Sequence, residues 1–377
     1  MFKGEPVMTK SEVYFTDMRC RVGDSLLAKL DRLLSRAGLE KISFRNKFVA
    51  LKIHFGEPGN LAFLRPNFAK TVADRVKTLG GRPFLTDSNT LYVGRRKNAL
   101  DHLEAAWENG FSPLSTGCQV IIADGLKGLD EVEVPLPKGL ILKSAKIGQA
   151  VMDADIIISL NHFKGHEMTG FGGAIKNLGM GSGSRAGKMI MHDDGKPSVS
   201  KKLCVGCRDC AKFCAQEAIS FDKNEKAVIN QRLCVGCGRC LGVCNQDAIH
   251  QNWSTAGPEL NRKMAEYALA VISGRPHFHV NIVNQVSPNC DCHNESDAPV
   301  VPDIGMFTSF DPVAIDAAAI KAVNEAPALA GSLAGQGAGR PGDHFTVVHP
   351  TTDWRGQLEY AEKIGLGRRA YELITVA

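Results

Sequence analysis

Eight cysteines fall into two matched runs. Cys204, Cys207, Cys210 and Cys214 are spaced C-x2-C-x2-C-x3-C, and Cys234, Cys237, Cys240 and Cys244 repeat that spacing. Three thiolates two residues apart can wrap one face of an iron–sulfur cube, and in two-cluster ferredoxins the fourth ligand serves the other cluster. The pattern predicts one [4Fe–4S] centre on Cys204, Cys207, Cys210 and Cys244, and a second on Cys234, Cys237, Cys240 and Cys214. C-x2-C pairs also bind zinc, but zinc has no use for two matched runs with crossed partners. Proline usually follows the fourth cysteine, where this chain has Ala215 and Asn245. The exchange either adds an N–H near the cluster sulfurs, which raises the potential, or is drift in a tolerant turn.

Four further segments carry polar residues with glycine. "KIHFGEPGN" holds Lys52, His54 and Glu57, and "TDSNTLYVGRR" holds Asp87, Asn89, Tyr92, Arg95 and Arg96. "NHFKGHEMTGFGGAIKNLGMGSGSRAGKM" offers His162, Lys164, His166, Lys176, Asn177, Arg185 and Lys188. His162 and His166 would share a face if helical and could then hold a metal. However, Gly165 lies between them and the zinc-protease glutamate is missing, so proton donation or anion binding suits them better. The glycine-rich stretch fails the P-loop pattern at Ser182 and Met189. Its glycines still permit backbone N–H groups to approach an anion, with Lys176, Arg185 and Lys188 supplying charge. In the fourth segment Cys290, Cys292 and His293 read C-x-C-H, and the two thiols are candidates for redox chemistry or metal binding. The polar neighbours argue against a fully apolar burial. Cys20 and Cys118 stand alone and are expected to be structural, and Asp311, before a proline, is expected to cap a helix.

These residues need a scaffold. "FVALKIHF", "RPFLTDS", "CQVIIADG" and "DADIIISL" are short β-branched runs bounded by turn residues, as buried strands are. Between them, "LRPNFAKTVADRVKTLGG" and "RKNALDHLEAAWENGF" have helical spacing and end in glycine. Later, "NRKMAEYALAVISG" reads as a helix, "HFHVNIVNQVS" as a strand, and "PDIGMFTSFDPVAIDAAAIKAVNEA" as strand, loop and helix. The alternation predicts an α/β fold with a largely parallel sheet covered by helices. An α+β two-cluster ferredoxin module is expected as an insertion, with "AISFD" and "KAVINQ" a hairpin and "AIHQNW" pairing similarly. The expected boundaries are 1–197 and 253–377 for the body and 198–252 for the module.

With 377 residues and a net charge of +5, the chain has the balance of an ordinary globular protein. No basic run with interleaved aromatics suggests nucleic acid. No secretory leader or membrane-spanning run is visible, so a cytoplasmic location and no membrane partner are expected. Reducing compartments keep thiols free, which leaves the twelve cysteines for metal and redox work. No dinucleotide fingerprint appears.

The stretches "ALKIHFGEPGNLAFLRPNF", "LTDSNTLYVG", "NHFKGHEMTGFGGAIKNLGMGSGSRAGKMIMH" and "DIGMFTSFDPVAID" resemble the iron–sulfur centre proteins of domain-of-unknown-function family 362. The resemblance covers nearly the whole chain. It implies an α/β body with a ferredoxin insertion, from anaerobic or facultative microbes, and no settled reaction. Family members often have cysteine where this chain has Ser182, and proline at Ala215 and Asn245.

The expectation is an iron–sulfur oxidoreductase or electron-transfer protein. Its acceptor would lie among His54, His162, Lys164 and His166, which would supply protons, with Cys290 and Cys292 nearby. Lys176, Asn177, Arg185 and Lys188 would hold an anionic small molecule, and a redox partner protein would exchange electrons. Two other readings stay open: an electron carrier or docking partner without chemistry of its own, and a non-redox catalyst with structural or oxygen-sensing clusters.

Overall fold

The computed structural model describes residues 10–92, 94–193, 196–234, 236, 238–251, 257–337 and 343–377. Eight strands form one sheet in the order Tyr371–Thr375, Ser11–Asp17, Gly305–Ser309, His277–Val283, Ile156–His162, Phe48–Lys52, Arg82–Asp87, Gln119–Ile122. The last five run parallel to one another. Gly305–Ser309 is antiparallel to both its neighbours. All four strands expected in the first part of the chain are present, as is the one beginning at His277.

The continuous apolar runs follow from burial on both faces. Ile157 packs into a core on one side, while Ile156, Ile158 and Leu160 pack into a core on the other. The helices Pro66–Thr78 and Gly257–Ile272 cover opposite faces. The helix Pro312–Glu325 begins as the Asp311–proline pair predicts, with the Asp311 carboxylate accepting the Val313 and Ala314 N–H groups.

The largest departure concerns the glycine-rich stretch. It is not a loop but two helices, Ala174–Ser182 and Arg185–Asp193, and between them the Ser184 and Arg185 N–H groups donate to the Lys146 and Gly128 carbonyls rather than to an open anion cradle. The glycines serve close packing instead. A Cβ at Gly179 would lie 2.1 Å from the Met264 carbonyl oxygen, and one at Gly187 would lie 2.3 Å from that of Lys146. The pair His162 and His166 lies on strands rather than a helix: Lys164–His166 forms a hairpin with Gly170–Gly172.

The cysteine-rich segment leaves and rejoins the body through one antiparallel pairing, Pro197–Val199 with Ile249–Gln251. Ile219–Phe221 pairs with Ala227–Ile229 as the hairpin expected around "KNEK". Among the described residues no helix is long and apolar enough to cross a membrane.

Candidate functional site

A cavity of about 850 Å³ opens where the parallel strands end. Such sheets place sites outside their carboxyl edges because the strands end there together and their loops diverge. His54 follows Phe48–Lys52, Asp87 closes Arg82–Asp87, and Asn161 and His162 close Ile156–His162. The loop beyond His277–Val283 brings Cys292 and His293 to the same cavity. The cavity therefore gathers His54, His162, Lys164, His166, Lys176, Asn177 and Lys188, spread along the sequence, into one wall.

Asp291 is the hub of the ion pairs behind the cavity lining. Fully buried, it accepts from His162 Nδ1 at 2.9 Å and from Lys164 Nζ at 2.9 Å. Burial pushes its carboxyl up, but His162 and Lys164 outweigh burial and hold it well below the ordinary carboxylate range. The other ring nitrogen of His162 faces the Asn284 carbonyl oxygen at 2.9 Å. Both nitrogens are thus committed to the protein, and the ring has none left to move a proton to a ligand. Asp291 belongs to the polar segment that argues against apolar burial. It is buried all the same, because the Lys164 ammonium and the His162 ring compensate it.

A second ionic layer lies beneath. Lys52 Nζ pairs with Asp87 Oδ1 at 2.9 Å and donates to Asn177 Oδ1 at 2.7 Å, while Asn177 Nδ2 donates to the Lys52 carbonyl. Asn177 thus anchors the Ala174–Ser182 helix to the strand ends as well as lining the cavity. Arg96 donates to Glu57 Oε2 at 2.8 Å and to Tyr92 Oη, and it lies 2.8 Å from His54 Nε2. Burial and then the Arg96 charge hold His54 well below its ordinary value. A permanent cation beside the ring disfavours its protonated form, which weighs against the proton supply expected of His54.

The thiols complete the far side. Cys290 is buried, and its Sγ accepts from Lys176 Nζ at 3.1 Å. The adjoining Cys292 thiol and, against burial, the Lys176 charge hold Cys290 well below its ordinary value. Cys292, donating to Cys290 and desolvated, is pushed well above its own. Burial opposes the charge of Lys176, but the two sulfurs outweigh it and raise its value. His166, Cys290 and Cys292 bring donor-type atoms within 4.8 Å of one another, as do Glu167, Cys292 and His293. Groups of this composition can hold a metal ion.

Lys188 lines the cavity near the cysteine-rich segment, and burial brings its ammonium down to about 8. Arg185 does not line it. Its Nε donates to the Lys127 carbonyl at 3.0 Å and its Nη2 to that of Lys97, so the guanidinium sits at the joint between body and insertion. The anion-binding role expected of Arg185 does not fit that position.

The joint is close-packed. Lys97 Nζ donates to the Cys244 carbonyl at 3.2 Å and pairs with Asp247. Gly238 has φ +69°, and a Cβ there would lie 2.8 Å from Met189 Sδ. Leu91 and Met189 share one apolar cluster with Cys204, Cys210 and Cys240, and Leu91 also lines the cavity. Leu91 therefore touches both regions, and apolar composition alone did not mark it out.

Within the insertion, Cys204, Cys207, Cys210 and Cys244 line one small cavity, while Cys214, Cys234 and Cys240 line another. Cys237 lies outside the described residues. Cys118 is buried and Cys20 exposed.

The class is thus a mixed α/β protein whose mainly parallel sheet carries a polar cavity at its carboxyl edge, beside a cysteine-rich insertion. Residues 49–321 match the family model "Domain of unknown function (DUF362)", and the chain belongs to that family. No curated protein matches it. Similar solved structures include the lactate racemase apoprotein from Thermoanaerobacterium thermosaccharolyticum, 13% identical over 73% of this chain and 51% of that one, with a TM-score of 0.37. A protein from Thermotoga maritima is 13% identical over 74% of this chain and 54% of its own, with a TM-score of 0.35. The chain thus spans about half the length of each.

Proposed function

We propose that the chain is an iron–sulfur oxidoreductase whose electron acceptor occupies the sheet-edge cavity. One [4Fe–4S] cluster would be held by Cys204, Cys207, Cys210 and Cys244, and a second by Cys234, Cys237, Cys240 and Cys214. The observation that carries this is the crossed lining: Cys244 joins the first run's cavity, and Cys214 joins the second's. The C-x2-C-x2-C-x3-C spacing, with three closely spaced thiolates in each run, is the ferredoxin signature and favours clusters over zinc pairs. Centres of this kind carry single electrons at potentials set by their surroundings.

The chain's own groups provide those surroundings. The Ala227 N–H donates to Cys204 Sγ at 3.4 Å and the Ala218 N–H to Cys214 Sγ at 3.3 Å, which stabilises negative charge on sulfur and raises the potential. Arg185 is buried at the joint, its Nη1 without a hydrogen-bond partner among the described residues. Its stem packs against the second run, where a Cβ at Gly238 would lie 3.3 Å from Arg185 Cγ. In the cavity, the ion pairs of Asp291 and Asp87 fix the walls. Lys188, able to hold or lose a proton near neutral pH, faces the bound acceptor.

The cavity favours this reading over a carrier without chemistry of its own, because its volume and convergent polar groups suit a small molecule. The test is iron and sulfide analysis with electron paramagnetic resonance on anaerobically prepared protein. About eight irons per chain are expected. Two tightly held zinc ions and no iron would end the proposal.

A further inference from the structure

The loop bearing Cys290 and Cys292 is pinned from both sides. On one side the Gly165 N–H donates to the Ser287 carbonyl at 2.8 Å, and a Cβ at Gly165 would lie 2.1 Å from the Pro288 carbonyl oxygen. Only glycine lets the Lys164–His166 strand lie so directly on this loop, and that contact sets His166 against Cys290. On the other side the Glu57 N–H donates to the Asp291 carbonyl at 2.9 Å, and Asn60 Nδ2 donates to the His293 and Glu295 carbonyls. Cys290 is 1% exposed, whereas Cys292 lines the cavity. One sulfur is therefore shielded and the other reaches the cavity.

A metal centre is the rival use of this cluster, and the hydrogens decide between them. His166 Nδ1 accepts the backbone N–H groups of Met168 at 3.1 Å and Thr169 at 3.2 Å. The ring's own hydrogen is then on Nε2, so His166 offers the sulfurs a donor and no lone pair. Lys176 offers Cys290 a second donor at 3.1 Å. Sulfur surrounded by N–H donors is built to carry negative charge without a metal.

We propose that Cys290 and Cys292 form a redox-active dithiol that cycles to an intramolecular disulfide in the cavity wall. In the reductive direction the S–S bond takes up two electrons and one proton and breaks. Cys290 leaves as a thiolate held by Lys176 and His166, and Cys292 becomes the thiol. The electrons come from a low-potential one-electron donor. This rests on the reading of the insertion as a two-cluster module, where two single-electron carriers match the two-electron demand of one disulfide. Leu91, shared by the cavity and the cysteine cluster, keeps the two regions in contact.

The test uses the anaerobic, cluster-loaded chain equilibrated in dithiothreitol and glutathione redox buffers that together span about −350 to −150 mV, the range of protein dithiols. It is then alkylated, and the peptide carrying both cysteines is weighed. A single two-electron transition between a disulfide and a doubly alkylated form is expected. Lys176→Met removes a thiolate partner and should favour the disulfide about tenfold, moving the midpoint about 30 mV negative. Lys176→Arg should restore most of that shift. Cys292→Ser should leave Cys290 alkylated once at every potential, with iron content unchanged. Full alkylation throughout the range overturns the proposal, as does protection by a stoichiometric metal that a chelator releases. Iron content is read on the same samples. A dithiol transition without iron sinks the cluster reading alone, and full iron without a transition sinks the dithiol alone.

Discussion

The molecule holds two sets of thiols, and they differ in what surrounds them. In the insertion, cysteine faces cysteine, and the sulfurs line small cavities with few other polar groups. In the sheet-edge cavity, the sulfurs of Cys290 and Cys292 meet an ammonium and an imidazole, and the carboxylates of Asp87, Glu57 and Asp291 pair with Lys52, Arg96 and Lys164. Sulfur among sulfur suits soft metal, and sulfur among donors suits a thiolate. Residue type alone does not separate these uses; the neighbours do.

The sharpest break of the comparison is Cys244→Ser. If the ligands are crossed, it costs the first cluster, about four irons, though Cys244 lies in the second run. Loss of the second cluster instead would show uncrossed ligation, with iron and spectra of the residual centre as the readout. On the cavity side, Asp291→Ala leaves His162 and Lys164 without their buried carboxylate. It should destabilise the fold by about 3–5 kcal/mol in denaturant melts, with Cys244→Ser much milder on the body. A loss under 1 kcal/mol would mean the hub is solvated. Leu91→Ala probes the contact between the regions and should cost about 2–3 kcal/mol, and the two regions should then melt less cooperatively.

Acid separates the regions more gently. Asp87 and Asp291 are held below their ordinary values, so the unfolded chain binds protons first as pH falls. The stability they contribute is present above about pH 4 and is lost below it, at about 1.4 kcal/mol per pH unit per group. Asp291→Asn should remove one group's share of that slope relative to wild type, a difference in which acid damage to the clusters cancels. The smallest effect concerns Lys188, whose charge fades above about pH 8. Sulfate binding, read by calorimetry, should weaken about tenfold per pH unit beyond that point, and Lys188→Arg should flatten the fall. A pH-independent affinity would remove Lys188 from the anion's contacts.

The cysteine runs, the strands of the sheet and the capping role of Asp311 were legible in the sequence because each depends on residues a few positions apart. A thiolate ring needs spacing, a buried strand needs a short apolar run, and a cap needs its own first turn. His54, His162, Lys164, His166, Lys176, Asn177 and Lys188 were also legible as chemistry, and they do share one cavity. Their roles were not. His162 lost its proton-moving role to Asp291, which lies 129 positions away. Arg185 was drawn to carbonyls of Lys127 and Lys97, and the glycines beside it were fixed by the approach of Lys146 and Met264. Sequence determined which groups are present and which local shapes they adopt. Tertiary structure alone decided which donors and acceptors they meet, because those partners are brought together by strand order across the sheet and not by proximity along the chain.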